Sequence, residues 1–294
     1  MDQMETPLSP VPAHVASGPA EHGQETRMDA RLTSLLDYFR ATSAGRPLAV
    51  AFSGGVDSSL VLWAASTALG ERAVGVTVRS EFICAFERER AKRLAVFLAR
   101  QTGAQVLVRN ISVLAEAGLR ANTAERCYQC KALVLAEVRA AALEALGPGP
   151  ALAEGTNADD DPARPGRRAV AEAGAYSPLA ACGIDKAGVR ELARLIGLPN
   201  ADDPSNSCLA TRVPEGHELT YKRLTAIEAL ERAALEMGLV DLRARLAPGA
   251  DGTEDGVRLL VRPAQLLLAQ SLAARLAQRA RFIGFAHFDL GERT

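Results

Sequence analysis

The string Ser53-Gly-Gly-Val-Asp-Ser-Ser59 constrains this chain more than any other feature. It follows an apolar run, Leu48-Ala-Val-Ala-Phe52, that reads as a strand, and leads into an apolar helical stretch from Leu60 to Leu69. Strand, Gly/Ser turn and helix together make the phosphate-binding corner of an α/β sheet, past the carboxyl end of a strand. Gly54 and Gly55 allow positive φ and close backbone approach. The amides that open a helix lack internal partners and point at an anion. Ser53, Ser58 and Ser59 add hydroxyl donors, and Asp57 offers a carboxylate for Mg²⁺ beside the phosphates. No Gly-Lys-Ser/Thr ending is present, which excludes a P-loop of the nucleoside-triphosphatase kind. The bland alternative is a Ser/Gly turn that only caps the next helix.

Around this corner the chain alternates strands and helices. A helix is expected over 29–41, then strands over 48–52, 73–78, 105–109 and 151–154, with helices near 87–101, from Cys127 to Leu146, and from the Asp185 cap to Gly197. Such alternation predicts an α/β fold, a doubly wound parallel sheet covered on both faces. The polar stretch 200–216 closes this unit, giving a nucleotide domain over 28–215 and a smaller C-terminal α+β domain over 216–294. The latter reads as a helix over 221–237, strands near 242–246 and 257–261, a helix over 263–279 and a last strand over 281–288. Residues 1–27, rich in Pro, Ala, Gly and Glu, read as a disordered tail in which His14 and His22 carry no function. They lack a basic n-region followed by an apolar h-region, so a secretory signal is not expected, and no apolar run is long enough for a membrane span. A cytoplasmic location follows as the expectation.

Glu154-Gly-Thr-Asn-Ala-Asp-Asp160 follows the fourth strand, again at a carboxyl end. Strands of one parallel sheet deliver their ends to one crevice, so Gly155, Thr156, Asn157, Asp159 and Asp160 are expected to face the first loop, their oxygens suited to Mg²⁺. An Asx turn is the alternative. Arg164-Pro-Gly-Arg-Arg168 comes next, and guanidinium groups bind phosphate or carboxylate well.

Five cysteines without a secretory signal imply reduced thiols. Cys127 and Cys130 have CxxC spacing at an expected helix N-terminus beside Lys131, where dipole and cation favour thiolate. Cys208 lies far along the chain in Asn206-Ser-Cys-Leu-Ala-Thr-Arg212, with Arg212 placed to lower its pKa or to hold an anionic substrate. A CxxC alone is a redox pair, a zinc half-site or a coincidence. Zinc wants four N/S ligands and no second pair is present. Three cysteines also suit a [4Fe–4S] cluster with one iron open to an exogenous sulfide. Cys84 and Cys182 read as buried packing residues.

The charges nearly cancel, 34 Lys and Arg against 35 Asp and Glu, which weighs against a nucleic-acid substrate. Only four of those cations are lysines, at 92, 131, 186 and 222, and an Arg-biased chain keeps Lys where a compact point charge is needed.

In combination, these strings resemble the PP-loop ATP pyrophosphatase superfamily, and within it the LarE-type ATP-dependent sacrificial sulfur transferases. The resemblance covers residues 30–246 and rests on Ala51–Ser59, Arg126–Lys131, Gly155–Asp160, Arg164-Pro-Gly166, Ser177-Pro-Leu179, Cys208–Arg212 and Arg243-Ala-Arg245. It implies that ATP adenylates a carboxylate of pyridinium-3,5-biscarboxylic acid mononucleotide, and that sulfur then displaces AMP to give a thiocarboxylate. In one-cysteine members the residue matching Cys208 gives up its own sulfur. In three-cysteine members the set matching Cys127, Cys130 and Cys208 holds a [4Fe–4S] cluster fed by sulfide or a persulfide donor, the form favoured here. Arg164, Arg212, Arg243 and Arg245 are implied substrate contacts, Glu231 a catalytic group, and a homo-oligomer, often a hexamer through the C-terminal part, the assembly.

Two departures stand out. Asp202-Asp203-Pro204 occupies the place of an expected Lys-Pro, and Asp251–Gly256 departs from the family's pattern. The rival functions are a tRNA thiolase with a cluster, an ammonia-using synthetase of the same fold, which would not need the three cysteines, and a non-catalytic nucleotide-binding regulator.

Overall fold

A computed structural model describes residues 29–204, 207–249 and 255–293. The expected tail with its two histidines, Asn206 and most of the 251–256 segment lie outside the described residues. Helix α1 (Ala30–Ser43) starts at Asp29, whose carboxylate accepts the Arg31 amide, and buries Leu32, Leu35, Leu36 and Phe39 at helical spacing. Then come β1 (Leu48–Ala51), α2 (Val56–Leu69), β2 (Ala73–Arg79), α3 (Ala85–Thr102), β3 (Gln105–Asn110), the short α4 (Ala117–Arg120), α5 (Arg126–Leu146) and β4 (Ala151–Ala153).

The four strands form one parallel sheet in the order β3-β2-β1-β4. Strands β1, β2 and β4 are near-continuous buried apolar runs, as a parallel sheet covered on both faces requires, whereas edge strand β3 is half exposed. Helices α1, α2 and α3 pack one face around Leu60, Leu62 and Leu98, and α5 covers the other through Val138, Ala141 and Ala142. Ten of the 14 residues of α2 are buried, so this helix is central and not amphipathic. The chain runs outward from β1 to β3, then returns over the opposite face to place β4 beside β1. Strand order therefore reverses between β1 and β4, and the crevice at their carboxyl ends is where such sheets bind ligands. The doubly wound α/β expectation holds. Helix α2 begins at Val56 and not at Leu60, so half of the Ser/Gly string is the first helical turn.

Beyond β4 lie α6 (Pro165–Glu172), α7 (Pro178–Ala181), α8 (Lys186–Leu195) and α9 (Tyr221–Glu236). A smaller three-stranded sheet follows, with β5 (Arg243–Ala247) antiparallel to β6 (Gly256–Val261) and β6 parallel to β7 (Phe288–Glu292). Its core joins Leu224, Ile227, Leu246, Leu259 and Leu276 to Phe82, Val113, Leu119 of α4 and Leu209, which come from the connections between the larger elements. The expected helix over 263–279 is instead a 3-10 turn, α10 (Leu266–Ser271) and α11 (Ala273–Ile283). The last strand also lies later than expected. The apolar residues 282–285 mimic a strand, but α11 runs to Ile283, and Gly284, at φ 111°, ends it before β7 can pair with β6. No described helix is long and apolar enough to cross a membrane.

Candidate active site

The phosphate loop is tied to itself by its serines. Ser53 Oγ and Ser58 Oγ lie 3.1 Å apart, Ser53 N donates to Ser58 Oγ, and Gly55 N donates to Ser53 Oγ. Gly54 has φ +77°, and a Cβ there would meet Ala91 Cα of α3 at 2.6 Å. A Cβ on Gly155 would come within 2.9 Å of Ser58 N, so the β4 loop presses directly on the β1 loop. Asn200, buried beneath, donates to Gly54 O and Ser59 Oγ, both at 3.2 Å. These contacts fix the α2 N-terminus, whose free amides face the crevice.

The two loops meet at Asp57. It accepts from Asn157 Nδ2 at 3.1 Å and from Lys186 Nζ at 2.5 Å. Asp159 and Asp160 are placed nearby, but their carboxylates serve the loop: Asp159 accepts the Lys186 amide, and Asp160 accepts the Asn157 amide and Arg164 Nη1. The turn alternative accounts for those hydrogen bonds, while Asp57 and Asp160 both line the crevice.

A cavity of about 520 Å³ sits over these loops, a size suited to a nucleotide. Phe52, Val76, Val78 and Val134 give it apolar walls, and Ser53, Asp57, Thr156, Lys131, Arg164 and Arg167 a polar rim. Glu154 is buried in its floor and accepts from Lys131 Nζ at 3.0 Å, Ser177 Oγ at 2.8 Å and Thr156 N at 3.1 Å. Burial opposes its charge, yet Lys131 and the two hydrogen bonds outweigh burial and hold the carboxyl below its ordinary range. A depressed pKa contributes stability above the unfolded value, near 4.3, and that contribution is lost as pH falls through the folded one. Lys131→Met leaves Glu154 buried without its cation. The variant should lose about 2 kcal/mol at neutral pH, discounted because Lys131 is a third exposed. Melting curves at pH 3–8 should show the deficit shrinking as Glu154 becomes protonated; a deficit constant across that range would contradict this role.

A second cavity of about 270 Å³ adjoins the first, sharing Ser53, Gly55, Asp57 and Ile83, and its wall includes Lys186, Arg90 and Cys208. Cys208 is thereby brought to the phosphate loop. Arg90 of α3 lies 3.7 Å from Asp203, the position where a lysine is expected, and 3.9 Å from Glu87.

The CxxC pair lies in the first turns of α5, Cys127 exposed and Cys130 half-buried. Asn122, buried at φ +54°, donates to Val213 O and to Pro214 O. Arg126 donates to Ala210 O at 3.3 Å and also bonds Asn122 Oδ1. Together they clamp the Cys208 loop onto the start of α5. The three thiols feel one another: burial, then Cys208 and Cys127, push Cys130 up to about 11. Burial likewise raises Cys208, and the opposing cation is Arg126, not the expected Arg212. The thiolate expected at Cys130 from dipole and Lys131 is therefore overridden by desolvation. Cys84 and Cys182 are half-buried against the two main cores.

Arg212 is 1% exposed, with Nε 3.0 Å from Glu231 Oε1 and Nη1 donating to Cys208 O at 3.0 Å and Ser207 Oγ at 2.8 Å. It holds the cysteine loop from behind. Glu231 also accepts the Ala244 amide, Arg245 reaches Thr211 O, and Arg243 donates to Leu242 O. Burial first, then the neighbouring Arg212 and Arg293, depress both Arg243 and Arg245. Sequence reasoning missed Lys186, Asn122, Asn200 and Arg90. Only Lys186 had a signal, the scarcity of lysine.

For a metal, the donor chemistry is three thiols with no fourth protein ligand beside them. Among the described residues no group of three or more His, Cys, Asp or Glu is close enough to hold one metal ion. Three thiols are the donor type an iron–sulfur cluster takes, and one ligand short of a structural zinc site.

No family model matches the chain. It is 31% identical, over 221 residues, to pyridinium-3,5-bisthiocarboxylic acid mononucleotide synthase of Lactiplantibacillus plantarum, covering 75% of this chain and 76% of that protein. It is 35% identical, over 219 residues, to an uncharacterized protein of Synechocystis, covering 74% of this chain and 78% of that one.

Proposed function

From the premise that this chain belongs to the LarE-type family of pyridinium-3,5-bisthiocarboxylic acid mononucleotide synthase, we propose that it uses ATP to convert a carboxylate of a pyridinium mononucleotide into a thiocarboxylate. The observation that carries this reading is the shared cavity: Asp57 of the phosphate loop and Cys208 line one wall space beside the nucleotide-sized crevice. A carboxylate is a poor electrophile, and activation needs its oxygen to attack the α-phosphorus while pyrophosphate leaves. Amides of α2, Ser53 and Ser58 would hold the departing phosphates, and Asp57 a Mg²⁺ that neutralises their charge, with Lys186 displaced toward phosphate. Sulfur then attacks the acyl carbon and AMP leaves. Cys127, Cys130 and Cys208 would hold a [4Fe–4S] cluster, which when bound supplies the sulfide. Arg164, Arg243 and Arg245 are the candidate grips on the substrate's anionic groups. Within the family's one-cysteine chemistry Glu231 would assist elimination, but its carboxylate is already paired with Arg212.

Incubation with ATP, Mg²⁺, sulfide and the dicarboxylate mononucleotide should release AMP and pyrophosphate only when the carboxylate is present, and mass spectrometry should find the thiocarboxylate. Asp57→Asn removes the metal-facing charge and should cut pyrophosphate release about 10²–10³-fold. Nucleotide cleavage indifferent to the carboxylate, or product without sulfur, would sink the proposal.

A further inference from the structure

A separate cavity of about 380 Å³ lies on the other side of the Cys208 loop, between the carboxyl ends of β2 and β3 and helix α9, with Arg79, Arg88, Leu209 and Tyr221 in its walls. Arg79 is the last residue of β2, at the end of the sheet where ligands enter. Its Nε is buried and donates to no acceptor among the described residues. A guanidinium donor left so is costly unless a ligand supplies the acceptor. Arg88 uses one nitrogen on Ile83 O, which leaves the rest of its fork. The two carboxylates on the same wall have other duties. Glu81 accepts from Ser112 Oγ at 2.7 Å and Val113 N at 2.9 Å, one on each oxygen, and Glu228 accepts the Ala85 amide at 2.5 Å. Two forks with open donors, beside Glu81 engaged at both oxygens and Glu228 engaged at Oε1, make a site for an oxyanion, and guanidinium geometry matches phosphate oxygens in pairs.

We infer that this cavity is a phosphomonoester site gripped by Arg79 and Arg88. The phosphate belongs either to the mononucleotide substrate, in which case the inference rests on the function proposed above, or to a separate phosphorylated small molecule. In both cases the ligand packs against Leu209, next to Cys208, and bridges the first sheet to α9.

Titration calorimetry decides it, on full-length protein with the ATP crevice filled by adenosine 5′-(α,β-methylene)triphosphate. The probes are ribose 5-phosphate and nicotinic acid mononucleotide. Wild type should bind at least one of them, and Arg79→Gln and Arg88→Gln should each weaken it about tenfold or more while ATP-analogue affinity and melting temperature stay as in wild type. A raised KM for the dicarboxylate mononucleotide in Arg79→Gln would assign the phosphate to the substrate; loss of ribose 5-phosphate binding with KM unchanged would assign it to a separate ligand. Equal affinities in wild type and both variants, or no binding of either probe by wild type, would overturn the site. Because calorimetry needs no turnover, the phosphate site stands or falls independently of sulfur transfer.

Discussion

Cys208→Ser should leave carboxylate-dependent pyrophosphate release within a few-fold of wild type and lower thiocarboxylate formation about 10³-fold or more. The separation follows from position. Cys208 reaches the smaller cavity from the loop before residue 215, while the residues proposed to hold ATP, Ser53 to Ser59, stand on the β1–α2 corner, and no bond joins them to Cys208 among the described residues. Serine keeps the shape with a slightly smaller atom and leaves the clamp from Arg126 and Arg212, both of which hold backbone carbonyls and not the Cys208 thiol. Anaerobic purification with iron and acid-labile sulfide analysis then distinguishes two routes. Iron present in wild type and lost in the variant makes Cys208 a cluster ligand. Iron absent in wild type, with the chain lighter by one H₂S after turnover, makes it a sacrificed residue. A variant that still forms thiocarboxylate at the wild-type rate would remove Cys208 from the chemistry altogether.

The phosphate corner was legible because its physics is local: a strand, two glycines and a helix start lie within a dozen residues, and the sheet order needs only the β-α alternation. That β4 returns beside β1 is non-local and was not legible in the sequence; the polar string after β4 implied only that its loop shares the crevice. What sequence hid was pairing across the chain. Asp57 with Lys186, Asn122 with Pro214 O, and Asn200 with Gly54 O each join residues far apart in sequence, and nothing at either position announces its partner. Burial was hidden too. Arg212 is expected to tune Cys208 or hold a substrate anion and Cys130 to favour thiolate, whereas burial desolvates both and changes what their charges do. The last strand failed for a simpler reason, since apolar residues at 282–285 suit either a helix end or a strand and only Gly284 arbitrates.

Arg212 supplies the sharper stability test. A guanidinium that is 1% exposed and paired with Glu231 at 3.0 Å is a structural ion pair first and a substrate contact only if the loop opens. Removing one partner of a buried pair leaves the other charge uncompensated, so Arg212→Met should cost about 3–5 kcal/mol, which for a chain of this size lowers Tm by about 10 °C. Glu231→Gln should cost less, because the amide oxygen can still accept the Ala244 amide and the Arg212 fork. In the double variant the two losses should not add: with Arg212 gone, Glu231 keeps only the more distant attraction of Arg243 and Arg245, and neutralising it recovers about 1–2 kcal/mol. Calorimetric or denaturant unfolding of the two single variants and the double measures that coupling directly. If Arg212→Met instead unfolds like wild type and only raises KM for the mononucleotide, the guanidinium is spent on substrate and the buried pair is incidental. If the loss and the coupling appear as expected, the Cys208 loop is held in place by an ion pair behind it, and the anionic groups of the substrate must be gripped by other arginines.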